Sequence, residues 1–197
     1  MCNLYDIGPA PGRIRLEWES GLRDLAGGFS YAAPGKPGLV ARGPRFEAVV
    51  MRWGFHRSWS PAITNARDDK LLGSTWAAAW RERRCVLPVK QFYEWSGTAG
   101  QKTKHAIRTE EDDVWFWIGG LWEEQPGMGL AYSMLTTAAN PQVSFLHGRM
   151  PLILDPADLE EFLLSEPPPI ALVRPYAGRL KLDPPAPLPR EETGLLF

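Results

Sequence analysis

The fold of this chain is decided by the stretch Val114-Trp115-Phe116-Trp117-Ile118-Gly119-Gly120-Leu121-Trp122-Glu123 and by Leu130-Ala131-Tyr132-Ser133-Met134-Leu135-Thr136-Thr137, which follows it. Both runs are rich in the aromatic and branched side chains that favour strands. Gly127 marks a turn between them, and the charged residues 109–113 separate them from an earlier alternating run at 102–108. The three runs therefore predict consecutive strands joined by turns.

Shorter elements surround these strands. Further strands are predicted at 2–7, 39–42, 46–53, 85–89, 91–95, 150–154 and 172–176, and a loop at 54–64. Helices are predicted at 13–25, where apolar residues recur at helical spacing, at 74–84, and after Asp155-Pro156. Many short strands with three inserted helices indicate an α+β fold: a single domain with a curled, mostly antiparallel sheet or an open barrel. We expect this domain to span 1–182, followed by a proline-rich tail at 183–197.

The composition narrows the function classes. With 197 residues the chain suits one domain, and a formal net charge of -1 gives no global basic field for nucleic acid. Its two cysteines, Cys2 and Cys85, do not form a disulfide framework. No secretion signal opens the chain, and no apolar run approaches about 18 residues. We therefore expect a cytoplasmic monomer without membrane, metal or cofactor.

Cys2 could react in a way that an internal cysteine cannot. Removal of Met1 would leave an α-amine beside a thiol, and that amine has a pKa of about 7.7–8.0, against about 10.4 for lysine. Such a 1,2-aminothiol condenses with an aldehyde to a Schiff base and then closes to a five-membered thiazolidine. The alternative is an ordinary core cysteine in the first strand.

Four polar residues stand in apolar or turn-rich settings. Glu94 lies between Tyr93 and Trp95, where desolvation would raise its pKa and suit proton transfer, although a water-facing glutamate at a strand end is the alternative. His147 is a candidate acid or base near pH 7, or else a polar surface residue. Asn65 is a candidate donor to an oxyanion or holder of the amine, and Arg67 a candidate phosphate contact; turn chemistry and a solvated arginine are the alternatives.

Taken together, the local motifs are specific. They are Met1-Cys2, Arg52-Trp53-Gly54-Phe55, Trp59 before Asn65-Ala66-Arg67, Arg84-Cys85-Val86-Leu87-Pro88, Phe92-Tyr93-Glu94-Trp95, Thr136-Thr137-Ala138-Ala139 and His147-Gly148-Arg149-Met150-Pro151. In this combination the chain resembles the SRAP family, the SOS response-associated peptidase family, to about residue 175.

The resemblance implies that the protein senses abasic sites in single-stranded DNA and forms a covalent thiazolidine link through Cys2. It also implies a peptidase activity, thought to remove Met1, and a lyase-like reversal. The matching active-site residues are Cys2, Asn65, Glu94 and His147. The implied DNA-binding residues are Trp59, Arg67, Arg149, Trp53 and Trp95, with Arg149 in contact with the DNA backbone or scaffolding the site.

Two positions depart from the family pattern. Leu4 and Thr75 stand where the family often has DNA-contacting arginines, so we expect weaker or displaced backbone contacts, with Arg45, Arg52 or the cluster 81–84 as substitutes. Two other functions remain open from the sequence. One is a cysteine hydrolase with Cys2 as nucleophile and His147 as base. The other is a single-strand-binding module that uses only tryptophans and arginines.

Overall fold

The computed structural model describes residues 2–13, 16–98 and 100–184. Its strands are β1 (Tyr5–Asp6), β2 (Tyr31–Ala32), β3 (Pro37–Arg42), β4 (Glu47–Trp53), β5 (Phe55–Arg57), β6 (Ser60–Ile63), β7 (Asn65–Arg67), β8 (Arg84–Val89), β9 (Gln91–Ser96), β10 (Thr103–Thr109), β11 (Phe116–Gln125), β12 (Gly129–Ala138), β13 (Arg149–Pro151), β14 (Ile153–Leu154) and β15 (Leu180–Asp183). Its helices are α1 (Glu19–Ala26), α2 (Ala77–Glu82) and α3 (Leu159–Leu164), with 3₁₀ turns at Asp68–Lys70, Pro156–Asp158 and Ile170–Leu172.

The central feature is a closed barrel of five strands. Its hydrogen-bonded order runs β3, β4, β12, β11, β8 and back to β3. The β4–β12 pair is parallel and the other four pairs are antiparallel. Closure leaves these strands without an exposed long edge. The expected α+β fold with a mostly antiparallel barrel is therefore confirmed, and the barrel is closed rather than open.

Two adjacent glycines let other elements approach β11 closely. A Cβ atom on Gly120 would lie 2.7 Å from Leu87 Cδ1, and one on Gly119 would lie 2.9 Å from side-chain atoms of Leu152 and Phe162. Because strand side chains alternate between faces, these glycines open both surfaces of β11. The strand can therefore pack on the barrel interior and on α3 at the same point.

Parallel pairing along β12 fixes the position of β7, the strand that begins at Asn65. β4 pairs with Ala131 and Tyr132 of β12, and β7 takes over the same strand from Met134 to Thr136. Between β4 and β7 the chain leaves the barrel as the β5–β6 hairpin. Asn65 is thereby fixed at the point where the chain rejoins the barrel.

A second sheet holds the N-terminal segment. Its order is β15, β10, β9, β1 and β2, all antiparallel. The Tyr5 hydroxyl, fully buried, lies 2.5 Å from the Tyr132 hydroxyl of the barrel. A Cβ atom at Gly38 would clash with that pair, so this position requires glycine. The two hydroxyls tie β1, three residues after Cys2, to the barrel core.

Several element boundaries differ from the sequence predictions. The first helix begins at Glu19, not at residue 13, and Ile14 lies outside the described residues. The predicted loop at 54–64 contains the β5–β6 hairpin, and the strand predicted at 172–176 is absent from this described segment, which follows a 3₁₀ turn. Asp183, assigned to the tail, belongs to β15 and pairs with Ala106. Residues 185–197 lie outside the described residues.

Candidate active site at the N-terminal cysteine

Backbone and amide hydrogen bonds position Cys2. The N–H of Tyr93 donates to the Leu4 carbonyl (3.1 Å), which aligns the segment with β9. The Asn65 Nδ2 group donates to the Cys2 carbonyl (3.1 Å). The Cys2 side chain is 1% exposed, and its Sγ donates to the Leu4 carbonyl (3.4 Å). Cys2 is thus held from both sides, by the second sheet and by β7.

The Cys2 thiol is neutral at physiological pH. Burial raises its pKa to about 12, and the nearby negative charge of Glu94 adds to the rise. A thiolate–imidazolium pair would require the opposite shift. Among the described residues, no hydrogen bond joins the Cys2 thiol to His147.

Glu94 is buried on the inner face of β9. It is 5% exposed and lies opposite His105 in the register with β10, while Tyr93 and Trp95 alternate to the other face. Burial raises the pKa of Glu94, and the positive charge that His147 can carry offsets part of this rise. The carboxyl group therefore retains a proton at a higher pH than an exposed glutamate. The water-facing alternative for this residue is wrong.

His147 presents one ring nitrogen for chemistry. Its Nδ1 accepts the N–H of Arg149 (2.9 Å), so the neutral ring carries its proton on Nε2. The side chain is partly buried. His105, by contrast, is a core residue, because its ring nitrogens bond Ser96 Oγ (2.8 Å) and the Pro184 carbonyl (2.9 Å).

A cavity of about 510 Å³ opens over these groups. Its walls are formed by Asn3, Leu4, Glu94, Trp95, Lys102, Leu146 and His147. Cys2 and Asn65 are not among the lining residues, and their mutual hydrogen bond places them next to Asn3. Of the four predicted catalytic residues, Cys2, Glu94 and His147 are coupled electrostatically. The fourth, Asn65, is joined to them by its hydrogen bond to the Cys2 carbonyl.

Asn65 also has an unused acceptor. Its Nδ2 donates to Thr64 Oγ1 (2.9 Å) as well as to Cys2, while its Oδ1 is buried and has no hydrogen-bond partner among the described residues. Buried polar atoms without a partner are uncommon and mark a place for a missing group. An N–H donor beside Cys2 would satisfy this oxygen.

The two arginines predicted to bind DNA already have acidic partners. Arg149 Nη2 contacts Asp68 Oδ1 (2.6 Å) and the Thr136 carbonyl, with the pair 15% and 27% exposed. Arg67 binds Asp69 through two hydrogen bonds of 2.9 and 2.8 Å at the exposed surface. Sequence reasoning missed both aspartates, although they are the two residues that follow the Asn-Ala-Arg motif.

The three tryptophans predicted to contact DNA occupy different environments. Trp59 is 70% exposed near the turn of the β5–β6 hairpin, and the partly buried Trp95 lines the cavity. Trp53 is fully buried, with its ring 5.1 Å from that of Tyr5, so the expected contact of Trp53 with DNA is wrong. Its Nε1 instead donates to the Thr64 carbonyl (2.9 Å) and so fixes the neighbour of Asn65.

The substitute arginines suggested by the sequence are largely committed elsewhere. Arg52 donates to the carbonyls of Gly54 (2.6 Å) and Pro61 (2.9 Å), which holds the β5–β6 hairpin. Arg84 is 6% exposed and donates to carbonyls at the ends of α2 and α3. Arg81 and Arg83 both pair with Glu82.

Among the described residues, no group of three or more histidine, cysteine, aspartate or glutamate side chains could hold a metal ion. None of the described helices is long and apolar enough to cross a membrane.

Fold and site together describe a β-barrel protein in which a cysteine at position 2 is held near a buried carboxyl group and a histidine. A sequence profile described as SOS response associated peptidase (SRAP) matches residues 1–184. The chain belongs to this family. The match ends at the last described residue, immediately after β15.

Curated relatives and solved structures are similar to this chain. "Abasic site processing protein HMCES" of Gallus gallus is 32% identical over an alignment of 138 residues, and the match covers 53% of this chain and 41% of the relative. "Abasic site processing protein YoqW" of Bacillus subtilis is 29% identical over an alignment of 125 residues, and the match covers 57% of this chain and 55% of the relative. The chain thus spans about half the length of these relatives. A solved structure of a Bacteroides thetaiotaomicron protein shares the fold, with a TM-score of 0.74, 19% identity and coverage of 92% and 90% of the two chains.

Proposed function

We propose that this protein senses abasic sites in single-stranded DNA and shields them through a covalent link to Cys2. The observation that carries the proposal is the fixing of Cys2 beside Glu94, with the unused Asn65 oxygen next to it. Membership of the SRAP family supports the proposal, and so do the printed names of the relatives, which are abasic site processing proteins.

The reaction begins at the α-amine that Cys2 would carry once Met1 is removed. Glu94, whose pKa is raised by burial, gives a proton to the ring oxygen of the abasic deoxyribose, which opens to the aldehyde. The amine attacks the aldehyde carbon, and the carbinolamine loses water to give an imine. Asn65 Oδ1 accepts an N–H of the amine and orients it, the Glu94 carboxylate takes the proton that the attacking nitrogen loses, and the Nε2–H of His147 donates to the oxygen that leaves as water.

The thiol then closes the ring. The Sγ–C bond forms at the imine carbon, the π electrons move to nitrogen, and the thiol proton goes to that nitrogen. Ring closure returns the thiol proton to the ring nitrogen, so it needs no thiolate–imidazolium pair. A cysteine hydrolase needs such a pair, and among the described residues no hydrogen bond joins the Cys2 thiol to His147.

The same groups account for the peptidase and lyase-like activities that the family resemblance implies. Hydrolysis of the Met1–Cys2 bond would expose the amine, and reversal of the ring closure would release the DNA. A protein blocked at its N-terminus should be inert towards abasic DNA until the block is removed. An unimpaired blocked protein would exclude the α-amine as nucleophile.

Intact-mass measurement with an abasic single-stranded oligonucleotide tests the proposal. The protein that begins at Cys2 should gain the mass of the oligonucleotide less one water and keep it on heating, whereas an undamaged oligonucleotide should add nothing. Cys2→Ser should give only a labile imine that borohydride traps. Cys85→Ala, which removes the buried thiol of β8, is the matched control and should behave like the parent. A heat-stable adduct of Cys2→Ser at parental yield would contradict thiazolidine formation.

A further inference from the structure

Among the described residues that line the cavity, Lys102 is the one permanent cation. It lies just before β10 and is exposed, and none of the described residues forms an ion pair with it. Asn3 and Leu4, which also line the cavity, carry no charge. A lysine side chain in such a position keeps a freely orientable ammonium group available for a ligand.

Lys104 continues this charge along the outer face of the second sheet. It lies opposite Trp95 in the register of β9 and β10, and its Nζ is 3.6 Å from the ring centroid of Tyr93. Residues two apart on an extended chain are separated by about 6.6–6.8 Å, so Lys102 and Lys104 present charges at intervals comparable with those of successive phosphates. Trp95 lies between the cavity and Lys104 as a flat surface for a base.

Most other cations around the site are already occupied. Arg67 and Arg149 are paired with aspartates, and Arg52 is bonded to backbone carbonyls. The two lysines differ from these arginines because they would lose no ion pair with a described residue on meeting a phosphate. A ligand phosphate would therefore gain more from Lys102 and Lys104 than from an arginine that must first leave a carboxylate.

We propose that Lys102 and Lys104 form a phosphate-binding track that carries the single strand away from the cavity across Trp95 and the β9–β10 hairpin. The proposal rests on the proposed DNA function and assigns the path of the strand on one side of the lesion. The track supplies the backbone charge that Leu4 cannot supply at the cavity wall.

Salt-dependent binding tests the track. The probe is a single-stranded oligonucleotide with a tetrahydrofuran abasic analogue, which has no aldehyde and so reports non-covalent affinity alone. Each phosphate contact to a single strand contributes about 0.7 to the slope of log affinity against log salt concentration. Affinity falls by some factor when salt rises from 50 to 200 mM. In Lys102→Gln and in Lys104→Gln this factor should be about 2.6 times smaller than in the parent, and in the double variant about 7 times smaller.

Two variants separate the track from simpler effects. Lys102→Arg should retain the parental slope, since charge is preserved. Arg23→Gln removes one positive charge on α1, away from the cavity lining, and should also leave the slope unchanged. Two oligonucleotides, one extended only on the 5′ side of the lesion and one only on the 3′ side, should respond differently to Lys104→Gln. One of them should lose affinity and the other should not.

Distinct outcomes would overturn the track or the proposed function. Equal slopes for the parent and the double lysine variant refute the track, even if the parent still forms adducts with natural abasic DNA. An equal change with Arg23→Gln would reduce the effect to net charge and also refute it. If Lys102→Arg were as impaired as Lys102→Gln, the amine itself would be required and a phosphate contact would be wrong. Absence of any parental adduct would instead refute the proposed function.

Discussion

Arg149 is expected to hold the site together rather than bind DNA directly, and Arg149→Met separates these roles. The substitution keeps an unbranched side chain but removes the guanidinium that contacts Asp68 Oδ1 (2.6 Å) and the Thr136 carbonyl. These contacts join β13, which follows the His147 loop, to β12 and to the turn after Asn65. Loss of the guanidinium should therefore loosen His147 relative to Asn65.

The magnitude follows from the exposure of the pair. With side chains 15% and 27% exposed, the Arg149–Asp68 pair lies between an exposed pair, about 0.2–1 kcal/mol, and a buried one, whose disruption costs about 3–5 kcal/mol. The charged hydrogen bond to Thr136 contributes about 1.5–3 kcal/mol within the same network. We expect the free energy of unfolding to fall by about 2–4 kcal/mol. For a domain of this size, Tm should fall by about 4–16 °C.

Two measurements on the same samples check this expectation. Thermal unfolding followed by circular dichroism should show the lower Tm, and non-covalent binding to the tetrahydrofuran oligonucleotide should keep its salt slope at temperatures where the variant is folded. Adduct formation should slow, because His147 loses its fixed orientation. Arg67→Met is the matched control: its exposed pairing with Asp69 joins no two elements of the site, so its Tm should be unchanged and its salt slope should flatten.

The opposite pattern would refute the reasoning. If Arg149→Met unfolds at the parental temperature and its salt slope decreases by about 0.7, its guanidinium binds a phosphate in the complex. The ion pair with Asp68 would then be a feature of the DNA-free protein alone.

Four further predictions concern three residues with separate tasks. Glu94→Gln should slow adduct formation and release by about 10²–10⁴-fold in exchange gels, since the amide cannot transfer a proton; parental rates would make this carboxyl group structural. Burial raises the pKa of Glu94 in the folded protein above 4.5, so this carboxyl group ionises at a lower pH in the unfolded chain than in the folded one. The parent should therefore lose stability relative to Glu94→Gln as pH rises from about 4.5 to the raised pKa. Urea unfolding measures this difference in stability, and a difference that stays constant with pH would contradict the prediction. Trp59→Ala should weaken single-strand binding by about 1–3 kcal/mol in fluorescence titrations if the exposed ring stacks on a base, and unchanged affinity would exclude stacking. Arg84→Met should lower the free energy of unfolding by about 3–5 kcal/mol, since it leaves buried helix-end carbonyls unpaired, yet should not alter the salt slope; a flattened slope would make Arg84 a DNA contact.

Local patterns predicted much of the fold because their causes are local. The three strands around Gly127 follow from runs of aromatic and branched residues, and the helix after Asp155-Pro156 begins near its predicted start. The first helix was predicted too long, because apolar spacing over 13–25 does not reveal that Trp18 stacks on Phe46 (4.2 Å between centroids) just before the helix begins. Tertiary contacts override periodicity at such boundaries.

The burial of Glu94 was predicted, but the geometry of the site was not. Glu94 between two aromatics was expected to be desolvated, and burial bears this out. Trp53 was expected at the DNA, yet strand alternation alone could not say which face of β4 lies inside the barrel. Lys102 was not singled out at all, since only the pairing of β9 with β10 brings it to the cavity beside Trp95.

By itself the sequence determined the class of fold, the aminothiol reactivity open to Cys2 and the family motifs, because these depend on residue types and on neighbours along the chain. Tertiary structure alone decided barrel closure, the hydrogen bond of Asn65 to Cys2 across 63 positions and the pairing of Arg149 with Asp68 across 81. It also decided which cations remain unpaired at the cavity. The reason is that register between distant strands is set by burial of the whole core, and burial then fixes the exposure, partners and pKa of each side chain.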